Sequence, residues 1–112
     1  MRQPLSTLAA LVTLVTAPLT LSAEESVSSA RQAELRHLLL HDCGSCHGMR
    51  LEGGLGPSLK ADRLAAWPTA ALAATILAGR PGTPMPPWQP LLTAAEADWL
   101  ALQLQQGVKQ PQ

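Results

Sequence analysis

The sequence predicts an all-α domain with three main helices, and three observations support this. Apolar residues recur at helical spacing in three segments, each bounded by capping residues. No segment alternates for long between apolar and polar residues, as a half-buried strand would. Long loops rich in glycine and proline join the segments. Such loops are unusual in so short a chain, which indicates that they wrap around something other than protein.

The N-terminal segment is typical of a secretory signal peptide, and we assign residues 1–23 to it. Arg2 provides a short positive start, residues 5–15 form an apolar core, and small residues end at a cleavage point after Ala23. An uncleaved anchor is the alternative, because no charge follows Arg2 before Ala23. The apolar core is short for a membrane span of about 20 residues. We therefore expect residues 24–112 to be exported to the periplasm, without stable membrane insertion once the signal is cleaved.

The first helix is predicted over residues 30–42. Ser29, with Gln32 three residues later, forms a capping-box pattern, and leucines at helical spacing follow. This helix leads directly into two cysteines. The glycine-rich residues 44–58 that come next are expected to form a loop.

The middle of the chain is predicted to contain a short helical turn and a second helix. Residues 61–66 form the turn, and residues 70–78 are rich in strong helix formers. Pro68 suits a first helical position, and Gly79 lies where a C-terminal cap belongs.

The last helix is predicted from a second capping box, made by Thr93 and Glu96, to Gln106. Gly107 ends it. Trp99 lies on this helix and is expected to pack in the core where the first and last helices meet.

The composition limits both the core and the class of partner. Eight Lys or Arg residues face eight Asp or Glu; removing residues 1–23 takes away one Lys or Arg, so seven face eight and the net charge is −1. That balance gives no case for a nucleic-acid partner or an anionic membrane surface. Phe and Tyr are absent, and three tryptophans are the only aromatic residues. Because small domains often need an additional stabilising element, a bound apolar cofactor would complete this core.

The motif CGSCH, residues 43–47, carries the chemistry. Two cysteines three residues apart can add to the two vinyl groups on one edge of a haem, and an imidazole directly after them can coordinate the iron. This pattern is the signature of c-type haem attachment. A thioredoxin-type disulfide would need a βαβ setting, and a zinc site would need a fourth ligand. We therefore predict one covalently attached haem c, held by Cys43, Cys46 and His47.

Met85 is the predicted second iron ligand. It stands among five prolines in RPGTPMPPWQP, residues 80–90, and proline fixes φ. Met1 lies in the signal segment, and Met49 follows His47 by two residues, so about 7 Å of chain cannot carry it to the other haem face. A thioether ligand would raise the reduction potential relative to a second imidazole.

His37 and His41 are rival ligands for the same position. Both precede Cys43 on the first helix. We interpret them as surface histidines, since that helix must pack where the attachment segment leaves it. A haem with two histidine ligands would have a much lower potential.

Further residues are expected around the haem. The carbonyl of Pro57 is a reasonable acceptor for the second ring N–H of His47, and Leu59 would pack on the haem face. Arg80 and the indole N–H of Trp88 could bind the haem propionates. An ordinary Gly-Pro turn is the alternative interpretation of Pro57. Other candidates for the propionates are Lys60, Arg63 and Trp67.

The chain resembles the class I c-type cytochromes in CGSCH, in GPSL at residues 56–59, in Met85 and in the closing helix. This resemblance implies a small class I cytochrome c fold with crossed terminal helices around one covalent haem. RQAELRHLLLHDCGSCHG, GGLGPSL and GRPGTPMPPW are further similar to the small cytochromes of denitrification operons, the NirC or cytochrome c55X type. That likeness implies a periplasmic protein associated with the haem d1 nitrite reductase, as its electron donor or in maturation of its d1 haem.

The predicted function is therefore electron transfer, with no catalysis by the chain itself. The expected partners are nitrite reductase and an upstream electron donor. One alternative is an accessory redox role in haem d1 biogenesis, and another is an open-site haem protein, such as a gas sensor or a peroxidase-like enzyme. The sequence offers no second catalytic constellation, such as paired carboxylates, so a role in haem d1 biogenesis would be electron supply or delivery. The balanced charge predicts that association rates depend weakly on salt.

Overall fold

The computed structural model describes residues 26–109, which form an all-α domain. Helix α1 (Ser29–Leu38) continues through a π-helical turn (Leu39–Cys43) into α2 (Gly44–His47). Then follow α3 (Ala61–Leu64), α4 (Thr69–Ala78) and α5 (Ala94–Gln106). Within this part of the chain no helix is long and apolar enough to cross a bilayer. The predicted signal peptide, residues 1–23, lies outside the described residues.

The capping box predicted at the start of α1 is wrong by one residue. Ser28 is the N-cap, and its hydroxyl accepts a hydrogen bond from the backbone N–H of Arg31 at 3.3 Å. The side-chain amide of Gln32 donates instead to the carbonyl of Val27 at 2.9 Å. Ser28 and Ser29 are adjacent and chemically identical, so only the extended backbone of Ser28 decides which one caps the helix.

The helix also continues past its predicted end at residue 42, and the segment expected as a loop begins only after His47. A π-helical turn inserts one extra residue into the run, a feature that is frequent at functional sites. Gly48, with φ of 91°, ends it. Because residues three apart share one side of a helix, both cysteine side chains project in the same direction.

The predictions for α4 and α5 are confirmed in most details. Gly79 caps α4 with φ of 65°, although Pro68 is its N-cap and not its first helical residue. At the start of α5, Glu96 accepts from the N–H of Thr93 at 2.8 Å and donates its own N–H to the Thr93 hydroxyl at 3.2 Å. Gly107 ends the helix.

The core consists of leucines from the helices and loops, supplemented by small residues. The buried leucines are Leu35, Leu39, Leu51, Leu64, Leu92, Leu100 and Leu104. Ala73, Ala97 and Ala101 form a second buried cluster between α4 and α5, where the absence of large side chains lets the helices approach closely. Trp99 is only partly buried against the leucines, and the guanidinium of Arg36 lies 5.1 Å from its ring centre.

An ion pair joins the N-terminal ends of α1 and α5. Nε of Arg31 donates to Oε1 of Glu96 at 2.6 Å. This bond, with the backbone N–H of Thr93, holds the pKa of the Glu96 carboxyl below its usual value. The same pairing raises the pKa of Arg31.

Candidate haem site

A cavity of about 640 Å³ opens between the helices and the proline-rich loop. Its size lies within the range of about 300–1,000 Å³ found for ligand and cofactor pockets. The structure brings all eight residues of the predicted site to its wall: Cys43, Cys46, His47, Pro57, Leu59, Arg80, Met85 and Trp88.

His47 is oriented by the loop that follows α2. Nδ1 of His47 lies 2.7 Å from the carbonyl oxygen of Pro57, which can only accept, so Nδ1 carries the proton. The other ring nitrogen, Nε2, is then left with its lone pair. The loop is bound to α2 by two further hydrogen bonds, from the N–H of Gly53 to His47 O and from the N–H of Gly56 to Cys46 O, both at 2.8 Å.

Gly56 is required by space rather than by conformation. A Cβ atom at this position would lie 2.8 Å from both Nδ1 and Cε1 of His47. The loop therefore lies directly against the imidazole, and any larger residue would displace the ring or the loop.

The two cysteines lie unpaired on the cavity wall, which excludes a disulfide between them in this structure. Burial and, to a smaller extent, the neighbouring Asp42 carboxylate together raise the pKa of the Cys43 thiol to about 11. The thiol of Cys43 is accordingly protonated at neutral pH in the haem-free chain.

The loop that carries Met85 lies against the end of α4. Gly79 turns the chain with positive φ, and a Cβ there would lie 2.6 Å from the carbonyl carbon of Pro86. The N–H of Arg80 donates to the carbonyl of Met85 at 3.2 Å. A backbone hydrogen bond therefore supplements the constraint that the prolines place on this loop.

The remaining candidates divide between the cavity and the surface. Arg63 and Trp67 line the cavity, whereas Lys60 does not and instead pairs with Glu52 at 3.3 Å. His37 and His41 are both exposed, with ring centroids 4.2 Å apart, and neither lines the cavity.

Sequence reasoning missed several residues that shape the site. One is Gln105, whose side-chain amide donates to the carbonyls of Trp67 at 2.7 Å and Leu64 at 3.2 Å and accepts from the Thr69 hydroxyl at 2.7 Å. This single side chain of α5 fastens the α3–α4 turn that borders the cavity. Most of the apolar cavity wall was also missed, although the i, i+4 spacing of Leu100 and Leu104 indicates an apolar helix face. The leucines of this wall are Leu38, Leu39, Leu55, Leu64, Leu92, Leu100 and Leu104.

The residues present fit a covalently attached haem. Two thiols, an imidazole with a free ring nitrogen and a thioether all line one largely apolar cavity. Thiols can form the two thioether links, and imidazole and thioether are both established iron ligands in c-type cytochromes. An apolar wall suits the porphyrin faces.

Comparison with known proteins decides the family. Residues 30–102 match the family described as cytochrome c oxidase, cbb3-type, subunit III. Cytochrome c55X of Pseudomonas aeruginosa is 56% identical over 90 residues, covering 80% of this chain and 76% of that protein. Cytochrome c55X of Stutzerimonas stutzeri is 47% identical over 102 residues, covering 91% and 88%. The chain belongs to the cytochrome c55X family of c-type cytochromes. It therefore carries covalently bound haem c, as its sequence predicted.

Two solved structures resemble this cytochrome. The c-type cytochrome NirC superposes with a TM-score of 0.70 at 58% identity, covering 72% of this chain and 95% of NirC. The dihydro-haem d1 dehydrogenase NirN, solved in complex with DHE, gives a TM-score of 0.58 at 36% identity. That match covers 68% of this chain but only 16% of NirN. The all-α cytochrome c fold predicted from the sequence is thereby confirmed.

Proposed function

We propose that this cytochrome carries single electrons in the periplasm and delivers them to the haem d1 nitrite reductase of denitrification. The observation that supports this most directly is that Met85 and His47 line the same cavity as the two cysteines. With both an imidazole and a thioether bound to it, a haem iron would have no position left for a substrate. Electrons are then the only species exchanged, so the chain acts as a carrier and not as an enzyme.

His47 and Met85 are assigned as the two iron ligands. The bound haem supplies a one-electron couple. The carbonyl of Pro57 fixes the tautomer of His47 and leaves Nε2 for the iron, as acceptors bonded to metal-binding histidines do in other proteins. The thioether of Met85 favours the ferrous state. Leu59 is assigned to the porphyrin face, and Arg80 and Trp88 to the propionates.

Carbon monoxide distinguishes this carrier from an open-site haem protein. We expect the reduced holoprotein to bind carbon monoxide slowly or not at all, because Met85 occupies the position that the gas requires. Met85→Ala should bind it rapidly and stoichiometrically, and Met85→His should remain six-coordinate at a lower potential. Fast stoichiometric binding by the wild-type protein would overturn the carrier assignment.

Stopped-flow mixing tests the acceptor. The reduced cytochrome is mixed with oxidised haem d1 nitrite reductase, and reoxidation is followed by absorbance. We expect a rate that increases with reductase concentration and changes little with added salt, because the mature chain has a net charge of −1. No reoxidation would refute this acceptor. A steep fall of the rate with added salt would contradict the weak salt dependence expected from the net charge.

A role in haem d1 biogenesis is the second candidate, and the likeness to NirN favours it. NirN is a dihydro-haem d1 dehydrogenase, and 68% of this chain matches part of it. Removing two hydrogen atoms from such a substrate releases two electrons and two protons, so two ferric cytochromes would take one electron each. We expect ferric cytochrome to be reduced at two equivalents per substrate when the dehydrogenase is added. Reduction no faster than in an enzyme-free control would exclude this role.

A further inference from the structure

Thr83 joins the beginning of the Met85 loop to Met85 itself. Its hydroxyl donates to the carbonyl oxygen of Arg80 at 2.6 Å, and its backbone N–H donates to the same oxygen at 3.0 Å. The hydroxyl oxygen also accepts a hydrogen bond from the backbone N–H of Met85 at 3.3 Å. One side chain thus contacts both ends of the turn, residues 80–85.

The loop around Met85 has few backbone N–H groups that could form further hydrogen bonds. Four of the residues from 80 to 88 are prolines and have no N–H to donate. Gly82, the neighbour of Thr83, has φ of 79° and nothing within 4 Å of a Cβ placed on it, so this part of the turn is not supported by packing. The hydroxyl of Thr83 accepts the hydrogen bond of the Met85 N–H.

We propose that Thr83 is a positioning residue whose hydroxyl holds Met85 at the iron. The inference rests on the proposed assignment of Met85 as a ligand. Proline stiffness alone does not place the thioether of Met85. The prolines on either side of Met85 have fixed φ angles, but the N–H of Met85 itself remains to be bound by a side chain.

The test compares four holoproteins: wild type, Thr83→Val, Thr83→Ser and Ser28→Ala. Valine keeps the shape of threonine without the hydroxyl, and serine keeps the hydroxyl without the methyl group. Ser28→Ala is the matched control, because it also removes one hydroxyl hydrogen bond, from the N–H of Arg31 at 3.3 Å, but outside the Met85 loop and the haem cavity.

Carbon monoxide binding to the reduced proteins reports how often Met85 leaves the iron. We expect Thr83→Val to bind about tenfold faster than wild type, the size of effect that corresponds to one lost hydrogen bond. Its reduction potential should also fall. Thr83→Ser and Ser28→Ala should stay within about twofold of wild type, well below that single-bond effect.

The other possible results would refute either the role of Thr83 or the assignment of Met85 as a ligand. If Met85→Ala opens the site but Thr83→Val binds carbon monoxide at the wild-type rate, the role of Thr83 is refuted while the ligand assignment stands. If Met85→Ala leaves spectrum and potential unchanged, the ligand assignment itself is refuted. Equal acceleration in Ser28→Ala would show a general loss of stability, and in Thr83→Ser a role for the methyl group. Either result would also overturn the inference.

Discussion

The two sides of the haem cavity hold their functional side chains by different means. Cys43, Cys46 and His47 belong to a continuous helical run, so the backbone that carries them is hydrogen-bonded within itself. The loop at residues 53–57 is then attached to that run by three bonds of 2.7 and 2.8 Å. Met85 lies in a loop without regular structure, where the backbone bonds are longer, at 3.0 and 3.2 Å.

This difference predicts how substitutions on each side of the cavity should affect the protein. A helical motif either has its residues in place or is unfolded, so changes there should remove the haem or the fold. A loop ligand can leave and return while the rest of the domain stays intact. The weaker side is also the side at which a reduction potential can be adjusted, because the thioether sets the preference for the ferrous state.

The largest effect is expected from replacing the two cysteines on the helical side of the cavity. Cys43→Ala combined with Cys46→Ala should abolish covalent haem, and with it most of the stability, because the cavity of about 640 Å³ would lose the group that fills it. Mass spectrometry of protein secreted by a host that matures c-type cytochromes measures this directly. Ser45→Ala, at an exposed position between the cysteines, should keep the full haem mass.

Gly79→Ala should strongly disturb the loop side of the cavity. An alanine Cβ would lie 2.6 to 2.8 Å from backbone atoms of three loop residues, in addition to the strain of positive φ. We expect a loss of about 3 kcal/mol in the free energy of unfolding, with faster carbon monoxide binding.

Gly82→Ala is the matched control for Gly79. Gly82 also has positive φ, but nothing lies within 4 Å of its Cβ position, so only the conformational cost of about 1 kcal/mol should remain. Equal losses in denaturant unfolding of the two variants would show that backbone crowding does not hold the loop.

Gly56→Ala makes the corresponding test on the helical side. The added Cβ would meet the His47 ring at 2.8 Å, and we expect a loss of about 2 kcal/mol and a shifted potential, because the imidazole must tilt. Gly44→Ala adds only ordinary contacts at 3.6 Å or more within a helix, so it should be neutral or stabilising. An unchanged potential in Gly56→Ala would argue that the loop does not orient the ring.

The smallest effect is expected from Glu96, which supports the helices without touching the cavity. Because pairing with Arg31 lowers its pKa in the folded state, Glu96 contributes stability above its unfolded pKa of about 4.3 and loses it as pH falls through the folded value. Glu96→Gln should be less stable than wild type in denaturant unfolding at pH 7, and the difference should shrink in acid. A difference that grows on acidification would contradict this, as would any change in carbon monoxide binding.

Local signals account for much of what could be predicted. The spacing of CGSCH, the capping box at Thr93 and the glycine that ends α4 each depend on residues close together in the chain. The helix through Cys43–His47 was missed because Gly44 and Ser45 are weak helix formers, and propensity favoured a loop. In the folded protein Gly44 is buried, and the preceding helix continues through it.

By itself, the sequence determined the helical class of this protein, its covalent haem and its family, since each depends on short-range patterns of residues. Only the tertiary structure decided how distant segments of the domain are joined. Gln105 reaches Leu64 across 41 residues, and Arg31 reaches Glu96 across 65. Local residue spacing cannot predict such pairs, because side-chain hydrogen bonds between distant segments form only after the apolar faces of the helices have packed together.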